Sequence, residues 1–289
     1  MNKSQYYIKS NRVKDKLFRI TGIVFTIFGL LMLTVFLISI LIEGVPRLNW
    51  QFLTSLPSRK PDNAGILIPL IGTIFIMILT ALIAVPLGIS SGIYLEEYGK
   101  KNRFANFIEI NLINLAGVPS IIYGLLALEI FVRIFGLGKS LLAGSLTLSL
   151  LILPIIVVAT REALKAIPQT LREASYALGA TKWQTIWHQV LPAASGGIVT
   201  GVILAISRAI GETAPLIVIG AMLYITTIPT SPMDDFSVLP IQIFNWLSRP
   251  QKGFIINATA AIIILLIITF ALNGFAVYLR NRWQKNTKW

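Results

Sequence analysis

Two opposite charges stand alone in a long apolar stretch of this chain. Arg208 and Glu212, in Ser207-Arg208-Ala209-Ile210-Gly211-Glu212-Thr213-Ala214-Pro215, are the only charged residues between 190 and 233. Four-residue spacing puts them on one face of a helix. A charge deep in a bilayer costs about 3 kcal/mol or more, so such residues face a cavity or a partner. An Arg fork can bind an oxyanion bidentately, and this makes the pair a candidate anion path. The other reading is an ion pair that locks two helices together.

A second constellation lies upstream. Thr170-Leu171-Arg172-Glu173 has the pattern of a capping box, with Thr170 as N-cap and Glu173 reaching back. Leu171, Ala174 and Leu178 then share a face, and Gly179 is suited to end a short helix. Thr181-Lys182-Trp183-Gln184 is a second capping box, followed by Trp183, Ile186, Trp187 and Val190 at helical spacing. Two short amphipathic helices meeting at a glycine turn are expected. They would either lie on the membrane interface or form a knob for a partner.

The elements that position these residues are set by composition. Apolar residues make up 55% of the 289 and charged residues 13%, far below the usual soluble share. Six windows hold no Asp, Glu, Lys or Arg: 20–42, 66–95, 110–128, 140–160, 190–207 and 253–279. About 20 apolar residues cross a hydrocarbon core, so an all-α integral membrane protein of about six transmembrane helices is expected. Gly197 and Gly201 form a G-x-x-x-G step suited to close helix packing. Pro215 predicts a break after the fifth span, and a partly embedded or re-entrant stretch beyond it.

Lys and Arg alternate between loops. Seventeen fall before the first span, around 100–103, within 161–182 and in the tail, against seven in the opposite loops. The positive-inside rule then predicts that both termini are cytoplasmic. The expected organisation is a basic arm over 1–19 suited to anionic lipid, a retained anchor helix over 20–43, and an extracytoplasmic loop over 44–64. A core over 65–280 follows, with a cytoplasmic loop at 168–192, and then a tail over 281–289.

The spacing of Glu173-Ala174-Ser175, Gly179 and Leu191-Pro192 resembles the "EAA" loop of type I ABC importer permeases, although Gln189 replaces a usually apolar residue. The resemblance implies that Glu173, Ala174, Ser175, Gly179, Ala180 and Thr181 dock an ATPase subunit. Four further stretches are similar to the phosphate permeases of that family: Arg208 to Pro215, Gly65 to Thr73, Pro86-Leu87-Gly88 with Tyr94 to Tyr98, and Gly117 to Gly124. The likeness is closest to the PstA type, with the PstC type similar. It implies a substrate path that includes Arg208, Glu212, Thr213 and Ser120. It also implies a PstC-like permease partner, a PstB-like ATPase dimer that binds ATP and Mg, and an extracytoplasmic phosphate-binding protein.

Other classes lack material. There is no cysteine, the one histidine is His188, and no span carries paired carboxylates. No G-x-x-x-x-G-K-[ST] loop is present, so ATP hydrolysis must come from another chain. The +13 charge is explained by loop placement and needs no nucleic acid. A permease for sulfate or molybdate is the alternative, and a proton-coupled carrier would be expected to show inverted repeats.

Overall fold

The computed structural model describes residues 3–99, 103–221 and 224–285, so Lys100, Lys101 and Lys288, counted above for orientation, lie outside the described residues. Long apolar runs become long helices. In chain order they are α1 (Lys3–Gly44), α2 (Trp50–Thr54), α3 (Leu67–Ile93), α4 (Arg103–Ala116), α5 (Ser120–Ala127) and α6 (Leu141–Lys165). Then come α7 (Gln169–Ala177), α8 (Lys182–Thr185), α9 (Leu191–Ile210), α10 (Ala214–Val218), α11 (Leu239–Leu247) and α12 (Lys252–Lys285). Among the described residues the only β pairing is an isolated bridge between Ser140 and Asp235.

Among the described residues five continuous helical stretches are long and apolar enough to cross a membrane. They are Lys14–Arg47, Leu67–Tyr98, Leu141–Lys165, Lys182–Ile210 and Lys252–Arg282. The third window departs from expectation. Ile110–Ala116 and Ser120–Ile134 meet at 101°, so a sixth crossing exists only as a bent pair. The cause is local: Gly117 and Val118 bond back only three residues, and Pro119 is extended at φ −55, ψ 134. The 190–233 stretch holds one span-length helix, which ends at Ile210, with Pro215 in the first turn of α10.

Helix α6 is the axis of the bundle, packed between α3 and α9 with Leu148, Leu151, Ile152 and Ile156 buried. Small residues set these distances. A methyl on Gly197 would lie 2.7 Å from the Ala163 Cβ, and Gly201 abuts Ala159 in the same way. The G-x-x-x-G step is therefore the α6–α9 seam.

At the end of the bundle where α3 and α6 begin, the chain folds back as a cap. Phe236 is fully buried against Gly144, and the Leu239 amide donates to Thr73 Oγ1 at 2.9 Å. Amides at the start of α6 donate to the cap: Leu141 to the Asp234 carbonyl and Leu142 to the Pro232 carbonyl. Arg47 pins the neighbouring loop by donating to Asn257 Oδ1 and to the carbonyls of Pro61, Asp62 and Ala64.

Candidate functional site: a charged pair and a knob on one helix

Arg208 sits in the last turn of α9, where a cation meets the negative end of the helix. Glu212 lies just beyond that end, with its amide donating to the Ala209 carbonyl at 3.2 Å. The two side chains meet at 3.5 Å between Nε and Oε1, with Arg208 41% exposed and Glu212 16%. A guanidinium has five N–H donors, so one carboxylate does not exhaust them.

The two breaks in the bundle converge beside this pair. Helix α10 packs on α5, where Gly124 lets Pro215 approach so closely that a methyl would lie 2.7 Å from the Pro215 Cα. Ser120, half-buried, opens α5, and Thr213 is the N-cap of α10 without a side-chain cap bond. The structure thus sets α5, which Ser120 opens, against α10, which Thr213 caps and which follows Arg208 and Glu212 along the chain. The direct side-chain contact among these four residues is Arg208 with Glu212.

The opposite end of the same helical stretch carries the knob. The second capping box forms in full, with the Gln184 amide donating to Thr181 Oγ1 and the Thr181 amide donating to Gln184 Oε1. The first does not form. Helix α7 begins at Gln169 with Pro168 as its N-cap, which leaves Thr170 in the first turn, two residues past the cap, and Glu173 exposed. Pro168 occupies the cap position, and α7 starts without a side-chain cap bond.

Gly179 closes α7 at φ +83. The Gly179 amide donates to the Tyr176 carbonyl and the Ala180 amide to the Ser175 carbonyl, the bonds of a Schellman turn. Leu178 is left 90% exposed, and Glu173, Ala174, Trp183 and Trp187 are exposed around it, the two tryptophans stacked at 5.6 Å. The second arm is not a separate helix. It runs on through a π turn at Ile186–Val190, where the Leu191 amide reaches the Ile186 carbonyl, and this accommodates Pro192 at the start of α9. Lys182 to Ile210 is one continuous stretch of 29 residues.

Sequence reasoning missed a cluster behind the knob. Arg172 is buried, donating from Nη2 to Glu97 Oε1 at 2.7 Å and the Leu164 carbonyl at 3.1 Å, and from Nη1 to the Ile167 carbonyl at 2.8 Å. Arg161 pairs with Glu96 at 3.4 Å. Lys182 donates to the Glu97 carbonyl and lies over the Tyr98 ring at 4.8 Å. A cavity of about 540 Å³ opens beside these residues, lined by Gln169, Tyr176 and Lys165 among others. The signal was available in the sequence: adjacent acids at the end of a span, on the side where basic residues dominate. Also missed was a polar seam between α9 and α12, formed by Ser207 with Asn273 and by Thr200 with Arg280.

Comparison with known proteins agrees with this architecture. Residues 84–285 match the family described as "Binding-protein-dependent transport system inner membrane component". A phosphate transport system permease protein PstA of Mycobacterium leprae is 36% identical over 253 residues, covering 85% of this chain and 82% of that protein. A PstA of Haemophilus influenzae is 34% identical, covering 86% and 87%. Among solved structures, an inward-facing MetNI methionine ABC transporter aligns with a TM-score of 0.58 at 19% identity, over 73% of this chain and 91% of that one. This likeness shows the type I ABC importer permease fold.

Proposed function

The chain belongs to the family of binding-protein-dependent transport system inner membrane components, and from that premise we propose how it works. It is a permease subunit of an ATP-driven phosphate importer and is not itself an enzyme; ATP is hydrolysed by a separate subunit. Relatives at 34–36% identity are phosphate permeases, so a sulfate or molybdate importer is not favoured.

The observation that carries the reading is the single helical stretch Lys182–Ile210, with the knob at one end and Arg208 near the other. At 1.5 Å per residue, Leu191 and Arg208 lie about 26 Å apart, close to the depth of a hydrocarbon core. The knob, with Glu173, Ala174, Ser175, Gly179, Ala180 and Thr181, seats on a PstB-like ATPase dimer that binds ATP and Mg. A PstC-like subunit completes the channel, and a phosphate-binding protein delivers substrate to the far end.

On this reading the bent pair counts as one span beside the five span-length helices, and an even number of crossings leaves both termini on one side. The excess of basic residues on the knob side supports reading that side as the cytoplasm, and the inner-membrane relatives support reading the membrane as the bacterial inner membrane. Arg208 lines the path with Ser120 and Thr213, while Glu212 restrains the guanidinium when the path is empty. Phosphate still carries a proton near neutral pH and can donate to Glu212. Sulfate cannot, and it meets an unrelieved repulsion.

The test is phosphate uptake by vesicles reconstituted with the complete importer, with and without the ATPase subunit. Uptake is expected only with it. ATP hydrolysis by the purified single chain would refute the assignment.

A further inference from the structure

We infer that Arg172 and Glu97 form the joint through which movement of the knob reaches α3, and so are positioning residues for the coupling of ATP hydrolysis to transport; this rests on the docking role proposed above.

Helix α7 is linked to α6 by the short segment Ala166–Pro168 and to the next arm by the Gly179 turn. Its packing is mainly against that arm. What fixes α7 to the bundle is Arg172, a side chain at which α7 meets the ends of α3 and α6. Its three nitrogens reach Glu97 beyond the end of α3, and the Leu164 and Ile167 carbonyls at and beyond the end of α6. Both side chains of the pair are nearly buried, at 11% and 7% exposed, so the contact is screened little by water or salt.

The second arm grips the same turn, with Lys182 on the Glu97 carbonyl and the Tyr98 ring. The knob therefore holds the end of α3 from both arms. Helix α3 runs from there to Thr73, which receives the Leu239 amide and anchors the far-end cap. Two rods thus leave the knob: α9 leads to Arg208, and α3 leads to the cap. The first is joined to the knob by the chain itself. The second is joined through side chains, chiefly Arg172 with Glu97. A buried pair used only for stability could be replaced by uncharged residues without altering how the two activities are linked.

The experiment uses the complete reconstituted importer and reads ATPase co-purification, ATP hydrolysis and phosphate uptake together. Glu97→Gln leaves a buried guanidinium unpaired, so the double variant Glu97→Gln with Arg172→Gln, which removes both charges, is measured beside it. Co-purification and hydrolysis are expected to persist, while uptake per ATP falls about tenfold or more. The chain has no native cysteine, so Glu97→Cys with Arg172→Cys can be bridged by a thiol cross-linker, and bridging is expected to restore the ratio. An unchanged ratio in the double variant overturns the joint. So does loss of co-purification, which would make the pair only a scaffold for the knob. Failure of the docking role reads differently: changes on the exposed face, such as Glu173→Arg with Leu178→Glu, would leave co-purification intact.

Discussion

Ser175 on α7 and Thr185 on α8 share a hydrogen bond of 2.9 Å, and it ties the two arms of the knob across the Gly179 turn. Thr185 is fully buried and Ser175 partly so. Thr185→Val keeps the shape and removes the bond, which should loosen the knob by about 1 kcal/mol. Faster amide exchange over residues 170–185, with the spans unaffected, is the expected result.

Gly179 tests the turn itself. A methyl there would meet nothing within 4 Å, so only the backbone angle of +83° resists a side chain. Gly179→Val should cost about 1–2 kcal/mol or more in that conformation. Membrane insertion should be normal, while ATPase co-purification or coupled uptake should fail.

For the charged pair, assembly and uptake must be measured separately. Arg208→Lys replaces a fork by a point charge, and one charge-assisted hydrogen bond is worth about 1.5–3 kcal/mol, so uptake should fall roughly tenfold to a hundredfold with assembly intact. Glu212→Gln should weaken discrimination against sulfate. If both variants assemble and transport with the original rate and selectivity, neither residue is on the path. If both misassemble, the pair is a packing device.

The far-end cap should be sensitive to acid. Asp234 accepts from the amides of Thr230 and Ser231 and from the Thr230 hydroxyl, and these bonds hold its carboxyl below the ordinary carboxylate range. A folded-state value below the unfolded one gives stability that is fully present above the unfolded value of about 3.9 and is lost as pH falls through the folded one. Proteolysis of the loop should therefore be flat from neutral pH down to about 5 and rise below the ordinary carboxylate range. Asp234→Asn should show the acid-like susceptibility at neutral pH.

Much of this was legible in the sequence. Uncharged windows gave the long helices because hydrocarbon tolerates little else, and Thr181 with Gln184 gave a cap because that geometry depends on four adjacent residues. Thr170 with Glu173 failed for a reason pattern alone does not weigh, since the helix already starts at Gln169 with Pro168 in the cap position. The 101° bend hid in a window of suitable length, although Gly117 and Pro119 marked it. Arg172 was the hardest to see. Counted as one loop charge among many, it acquires its role from Glu97, 75 positions earlier, and that pairing is visible only once α3 and α7 are folded together.

Helix α1 stands apart from the rest of the bundle. Ile40 and Gly44 are buried near its last turn, Gly44 close enough to the Ala260 backbone that a methyl would not fit, while the apolar residues from Leu17 to Phe36 are exposed. It also precedes the family match, which starts at residue 84. A rod fastened near one end can tilt about that point without disturbing the bundle. Bilayers differ in thickness by several ångströms between membranes and growth conditions, and a helix answers such mismatch most cheaply by changing its angle. In a thicker or thinner membrane α1 can therefore change its lean while Ile40 and Gly44 hold its end in place.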